Sequence, residues 1–251
     1  MIDNIQTILQ LSGTALTIAS SFGLGVYSQL KKEVEERVVE LPQDYICKEH
    51  ELNIGYGCKY SNVIPESMEY CTPVIINMKR TPHMLVCGLA QQGKSSMVEF
   101  ALRNKRVILM NAFENDFQSL QECLRINSLE YIEEVLEKLV NTKNNCEVTY
   151  LVIDELLSLV LNKRSKKVQD LIMDLLANAT HKNIYIIGIT QTSEKDILKF
   201  KHLFNTRVCF RMLDDSSIKT CLGYTPDDPY LNKREFLYVS DTKGKGFTYD
   251  L

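Results

Sequence analysis

The stretch "CGLAQQGKSSM", residues 87–97, decides the fold. Inside it, Gly88-Leu89-Ala90-Gln91-Gln92-Gly93-Lys94-Ser95 satisfies G-x-x-x-x-G-K-[ST] at every position. The apolar run "HMLVC" (83–87) precedes it and a helical pattern follows, the strand-to-helix context that the motif requires. Gly88 and Gly93 let the backbone turn tightly, so that successive N–H groups from Leu89 through Ala90, Gln91, Gln92 and Gly93 to Ser96 face an anion at a helix N-terminus. Lys94 is then placed for the β and γ oxygens of a nucleoside triphosphate, the Ser95 hydroxyl for Mg²⁺ and the Ser96 hydroxyl for the α-phosphate. The expected ligands are ATP and Mg²⁺.

Working outward, "RVILM" (106–110), "TYLVI" (149–153), "IYIIGIT" (184–190) and "RVCFRM" (207–212) are short and rich in β-branched residues, as strands buried on both faces are. Between them run helical stripes: Leu129, Ile132, Val135, Leu136, Leu139 and Val140, and then Val168, Leu171, Ile172, Leu175, Leu176 and Ala179. Strand and helix in alternation predict an α/β fold with a mostly parallel sheet and helices on both faces. Residues 46–77, with Gly55, Gly57, Pro65 and Pro73, read as turns and short strands leading into that core.

The run "YLVIDELLSL" ends a buried strand in Asp154-Glu155, 59 residues beyond Ser95. Carboxylates at the C-terminal end of a parallel strand stand where such sheets bind ligands. Asp154 is expected to hold the metal and Glu155 to act as general base toward water. Gln191, directly after "IYIIGIT", falls at the same edge and reads either as a sensor of the γ-phosphate or as a surface glutamine.

At 251 residues the chain suffices for one large α/β domain and an appendage, and a net charge of −3 excludes a surface coated with basic charge. Its eight cysteines form no C-x-x-C pair and no zinc-like spacing, so reduced, mostly buried thiols in a cytosolic compartment are expected. The N-terminus differs: the 27 residues between Asp3 and Lys31 carry no charge. As a helix they would reach about 40 Å, enough for a hydrocarbon core of roughly 30 Å. Residues 1–30 therefore read as a single hydrophobic, membrane-spanning helix, with a small-residue helix packed on the domain as the alternative. The basic pair Lys31-Lys32 follows the apolar run, which argues against a signal peptide and places the remainder on the cytoplasmic side of the cell membrane. Residues 31–45 form a charged connector, and residues 46–251 the catalytic domain.

Beyond these local readings, "PVIINMKRTPHMLVCGLAQQGKSSM" resembles the FtsK/SpoIIIE family of DNA translocases, with Pro73, Val74, Pro82 and His83 at matching places. "YLVIDELLSL", "ANATHKNIYIIGITQTS", "NTRVCFRMLDDSSIKTCLG" and the closing "GKGFTYDL" are similar to successive segments of that family. The resemblance covers about residues 52 to 251. It implies a RecA-like P-loop ATPase motor, usually a hexameric ring around double-stranded DNA with ATP between subunits, serving segregation, conjugative transfer or mobile elements. Three departures stand out: Gln91-Gln92 replaces a Gly-Ser-like pair, "ILMNAFENDF" lacks the usual Asp-Pro-Lys-like turn, and a winged-helix module is not expected.

Such a motor needs cations for DNA phosphates and a positive charge for the transition state. The run Lys163, Arg164, Lys166 and Lys167 is the candidate DNA grip, unless it is simply a solvated loop. Arg207, with Arg211 in reserve, is the candidate arginine offered to a neighbouring subunit, unless it is a structural arginine at a strand end. Two alternatives to DNA translocation share the nucleotide site: an ATPase for protein export or assembly, and a nucleotide-gated scaffold with little turnover.

Overall fold

The computed structural model describes residues 47–58, 71–120, 123–143, 147–161, 166–191 and 201–248. The expected N-terminal helix, the connector, and Lys163 and Arg164 lie outside the described residues. Among the described residues no helix is long and apolar enough to cross a membrane. The chain divides into Met1–Asp44 and Tyr45–Leu251, and the fold below is that of the second unit.

Its strands are β1 (Glu51–Cys58), β2 (Cys71–Asn77), β3 (Met84–Cys87), β4 (Val107–Met110), β5 (Cys123–Ile126), β6 (Thr149–Ile153), β7 (Ile184–Thr190), β8 (Thr206–Phe210), β9 (Glu235–Val239) and β10 (Lys243–Phe247). The helices are α1 (Lys94–Ala101), α2 (Leu129–Asn141), α3 (Leu156–Leu161), α4 (Lys166–Asn178) and α5 (Asp215–Leu222). Among the described residues, these ten strands join one sheet in the order β2-β1-β10-β9-β8-β3-β7-β6-β4-β5. The six strands from β8 to β5 run parallel, as the alternation of strand and helix predicts. From β8 onward through β9, β10, β1 and β2 every pairing is antiparallel, so the final hairpin and the leading pair extend the sheet on one side.

Alternation along each central strand feeds two cores. Leu85 and Cys87 of β3, with Leu151 and Ile153 of β6, face α2, α3, α4 and α5. Met84 and Val86, with Tyr150 and Val152, face the opposite way, onto α1 through Met97, Val98 and Leu102. Both helical stripes read from the sequence lie against the first core: Ile132 and Leu136 of α2, and Val168, Ile172, Leu175 and Leu176 of α4, are buried. Each such side chain contributes about 1.5–3 kcal/mol when removed from water. Ala179, the last residue of the second stripe, is buried in a 3₁₀ turn rather than in the helix.

The edge strand β5 was not among the strands expected. It is four residues long, and its two central residues, Leu124 and Arg125, are exposed. So short and half-wet a segment carries too little hydrophobic pattern to announce itself. The strands β1 and β2 are longer than the short pieces expected for residues 46–77, at eight and seven residues.

Candidate active site

The parallel strands set the geometry of the site. Cys87 pairs with Thr190 of β7 on one side and Cys209 of β8 on the other, so the loop after β3 emerges between two strand ends. The amide of Gly88 donates to the carbonyl of Thr190 at 3.3 Å, and that of Leu89 to the carbonyl of Arg211 at 3.0 Å. These first two amides anchor the loop to its neighbours instead of opening toward an anion, which corrects the expectation for Leu89. The first amide bonded inside α1 is that of Met97, to the Gly93 carbonyl at 2.9 Å. The amides of Lys94, Ser95 and Ser96 therefore begin the helix without intrahelical acceptors, the arrangement that attracts phosphate.

Two glycines make this path possible. Gly88 has φ +153°, and a Cβ there would stand 2.6 Å from the Cβ of Phe210. Gly93 has φ +103° and serves as N-cap of α1. Gln91, at φ +60°, also takes the left-handed conformation, at the exposed loop position where the family resemblance leads one to expect a smaller residue.

Lys94 is only 7% exposed, and its Nζ donates to the Leu89 carbonyl at 2.7 Å. Burial lowers its pKa, and the charges of Glu155 and Asp154 oppose that shift. These two carboxylates thus lie within electrostatic reach of the lysine. Register explains why: Ile153 of β6 pairs with Gly188, and Gly188 pairs with Leu85. The residues following Ile153 accordingly rise beside the loop, one strand away.

Gly188 also matters for packing, since a Cβ there would approach the Cδ2 of Leu156 to 2.8 Å. The missing side chain lets α3 begin directly over β7, and so places the Asp154-Glu155 turn. Glu155 itself has φ +51°, and its amide donates to Asp154 Oδ1 at 3.2 Å. Burial raises the Asp154 pKa to about 6, aided by the negative charge of Asp116 and opposed by the Glu155 amide. Asp116, in the loop after β4, is an acidic neighbour that sequence reasoning missed; nothing in its spacing from Asp154 distinguishes it.

The remaining expectations divide. Gln191 is exposed and immediately follows Thr190, the partner of Cys87, so it stands at the same edge as the loop. Arg207 does not extend outward: its Nη1 donates to the Leu222 carbonyl at 2.9 Å and its Nε to the Phe204 carbonyl at 3.3 Å. Within its own chain the guanidinium closes the C-terminal end of α5. Arg211 is exposed, with its backbone carbonyl bound to the loop of its own chain. Of the basic run, Lys166 is exposed, whereas Lys167 bridges Glu133 at 2.6 Å and also Glu137, both on α2. A cation held by two carboxylates is poorly disposed to grip phosphate.

The donor set suits a magnesium nucleotide: open amides at a helix N-terminus, a lysine, a hydroxyl at Ser95 and carboxylates at Asp154 and Glu155. Among the described residues no group of three or more metal-ligating side chains forms a site complete in itself.

No protein-family model matches the chain, and no curated protein matches it in sequence. Solved structures do match its fold. The monomer form of the pCW3 conjugation coupling protein TcpA with ATPγS superposes with a TM-score of 0.66 at 15% identity, over 84% of this chain and 71% of that one. EssC ATPases 2 and 3 from Geobacillus thermodenitrificans give 0.61 at 12% identity, over 84% of this chain but only 46% of that one. The genome packaging NTPase of Sulfolobus turreted icosahedral virus 2, in complex with ATPγS, gives 0.55 at 13% identity, over 69% of this chain and all of that one. The chain therefore has the fold that these solved structures share.

Proposed function

We propose that this chain is an ATP-hydrolysing motor of the FtsK/HerA class that drives double-stranded DNA, working as a ring of identical subunits tethered to the cell membrane through residues 1–30 with its catalytic domain in the cytoplasm. The observation that carries the reading is the strand register that brings Lys94, at the start of α1 after β3, and Asp154 and Glu155, directly after β6, to one edge of the sheet. The likeness in fold to a conjugation coupling protein and a genome packaging NTPase supports a DNA substrate.

In this reading the amides of Ala90 to Ser96 receive the phosphates, and Lys94 exchanges the Leu89 carbonyl for phosphate oxygens. Ser95 and Asp154 would hold Mg²⁺, which neutralises phosphate charge when bound. Glu155 takes a proton from a water whose oxygen bonds to the γ-phosphorus, while the bond from that phosphorus to the oxygen bridging to ADP breaks. Gln191, at the same sheet edge, would touch both the water and the γ-phosphate with its amide.

The test is ATP turnover by the full chain with and without double-stranded DNA. A several-fold rise with DNA, lost in Glu155→Gln, supports the motor; equal rates with and without DNA overturn it. The fold likeness to EssC, and to Thermomonospora curvata EccC solved with a signal sequence peptide, favours a second reading, an ATPase that moves protein. Turnover raised by an exported polypeptide but indifferent to DNA would select it. Stable rings with slow single turnover would instead select a nucleotide-gated scaffold.

A further inference from the structure

The turn that carries Glu155 is held from outside its own strand. Asn111 follows β4 directly and has φ +61°, a left-handed conformation that asparagine tolerates better than most residues. Its amide has two hydrogens, and both have acceptors: the Asp154 carbonyl at 2.9 Å and the Ser158 hydroxyl at 2.8 Å. The Ser158 hydroxyl in turn donates to the Glu155 carbonyl at 2.9 Å. The Asp154 carbonyl is thereby held directly by this side chain, while the Glu155 carbonyl accepts from the Ser158 hydroxyl that the side chain orients and, at 3.0 Å, from the Ser158 backbone amide.

This clamp has rigid backing. The Asn111 amide donates to the Ile126 carbonyl of β5 at 3.0 Å, and the Asp154 amide donates to the Met110 carbonyl of β4 at 2.9 Å. Asn111 thus belongs to a three-strand frame at the very point where β6 ends. Glu155 needs such support, because its φ of +51° is disfavoured for a residue bearing a side chain. The backbone angle aims the carboxylate, so releasing the Asp154 carbonyl lets the turn relax toward an ordinary conformation and swings the carboxylate away. Asp154 and Glu155 are legible as a pair in the sequence; what holds them is contributed by a residue more than forty positions earlier.

We infer that Asn111, acting through Ser158, is the positioning residue that holds Glu155 in its catalytic conformation. The inference rests on the reading of Glu155 as general base, and it concerns orientation of that base rather than affinity for nucleotide. It accordingly separates kcat from KM. A displacement of about 1 Å at a reacting group can cost on the order of a hundredfold in rate.

The test uses the full chain with Mg²⁺ and ATP. Asn111→Ala is expected to lower kcat ten- to a hundredfold while the KM for ATP stays within about twofold. Ser158→Ala is expected to lower kcat several-fold, and Ser158→Thr, which restores a hydroxyl at this exposed position, to recover it. In a Glu155→Gln background, Asn111→Ala should cause no further loss, because the residue it positions is already disabled. An unchanged kcat in Asn111→Ala, an effect on KM alone, or an equal loss in the Glu155→Gln background overturns the inference. Amide hydrogen exchange of nucleotide-free protein provides a readout that does not depend on turnover. Asn111→Ala should speed exchange across residues 154–161 at least tenfold and leave β3 and β7 unaltered. Should the unmodified chain hydrolyse no ATP, the proposed function fails, and unchanged exchange at 154–161 would then overturn the clamp as well.

Discussion

Arg207 Nη1 donates to the carbonyl of Leu222 at 2.9 Å, tying the start of β8 to the last residue of α5. Helix C-terminal carbonyls lack intrahelical donors, and a guanidinium that supplies one from the neighbouring strand closes that end of the helix. Removing the guanidinium leaves two carbonyls, those of Phe204 and Leu222, without it. Arg207→Ala is expected to lower the unfolding free energy by about 1–3 kcal/mol, measured by urea denaturation. Mixing Arg207→Ala chains with Lys94→Ala chains should raise ATP turnover no higher than the Arg207→Ala chains reach alone, since the arginine is occupied within its own subunit. Restored turnover would return Arg207 to the role of a neighbour's cation.

Lys94 presents the opposite balance between stability and chemistry. It is buried against the loop that it serves, and burial already pushes its pKa down. A charge held in so dry a place contributes little to folding but much to phosphate binding. Lys94→Met should reduce ATP turnover at least a hundredfold while leaving the melting temperature unchanged or higher. Calorimetry and a phosphate-release assay on the same sample check both halves.

Gly188 allows α3 to sit directly on β7. Adding a methyl group there brings it to 2.8 Å from Leu156 Cδ2 and 3.4 Å from Phe204 Cζ, and both neighbours are fully packed. Overpacking of this kind costs about 1–3 kcal/mol. Gly188→Ala should therefore destabilise the fold and also reduce kcat, since Leu156 follows Glu155 directly. Leu156→Val removes the clashing carbon, and the double variant should regain part of both losses, as denaturation and turnover measured side by side would reveal.

His83 supplies the pH dependence. It is 1% exposed, and its Nδ1 accepts the Ile186 amide at 3.0 Å, so the imidazole is neutral. Burial lowers its pKa from 6.5 to about 4, against the smaller opposing effect of the Leu176 carbonyl. Between those values the unfolded chain takes up a proton that the folded chain refuses, so stability falls as pH drops from 6.5 toward 4. The loss from this one group reaches about 3 kcal/mol at the acid end. His83→Asn tolerates the left-handed φ of +60° and keeps an acceptor for Ile186, yet cannot titrate. Unfolding free energies measured across that range should fall less steeply for the variant, and equal slopes would exclude His83 as the cause.

Much of this was legible in the residues because it is written in local pattern. The loop from Gly88 to Ser95 states its own turn, its amides and its cation within eight consecutive positions. The central parallel strands declare themselves by apolar runs, and α2 and α4 by stripes at helical spacing. Even the meeting of Lys94 with Glu155 follows from those patterns, since parallel strands bring their C-terminal ends to one edge. What escaped was whatever depends on which element lies beside which. Arg207 and Lys167 looked like available cations, yet one is bound by carbonyls of Phe204 and Leu222 and the other by carboxylates of α2.

The amino-acid sequence by itself determined the nucleotide loop, the acidic strand end and the alternation of strand and helix, because each arises from neighbours along the chain obeying a short period. Only the tertiary structure decided the partners of the arginine and the lysine, the antiparallel extension of the sheet and the clamp from Asn111 to Glu155. A side chain's partner is set by the packing of segments distant in sequence, and no periodicity in either segment records which of the other's groups will be within hydrogen-bonding reach.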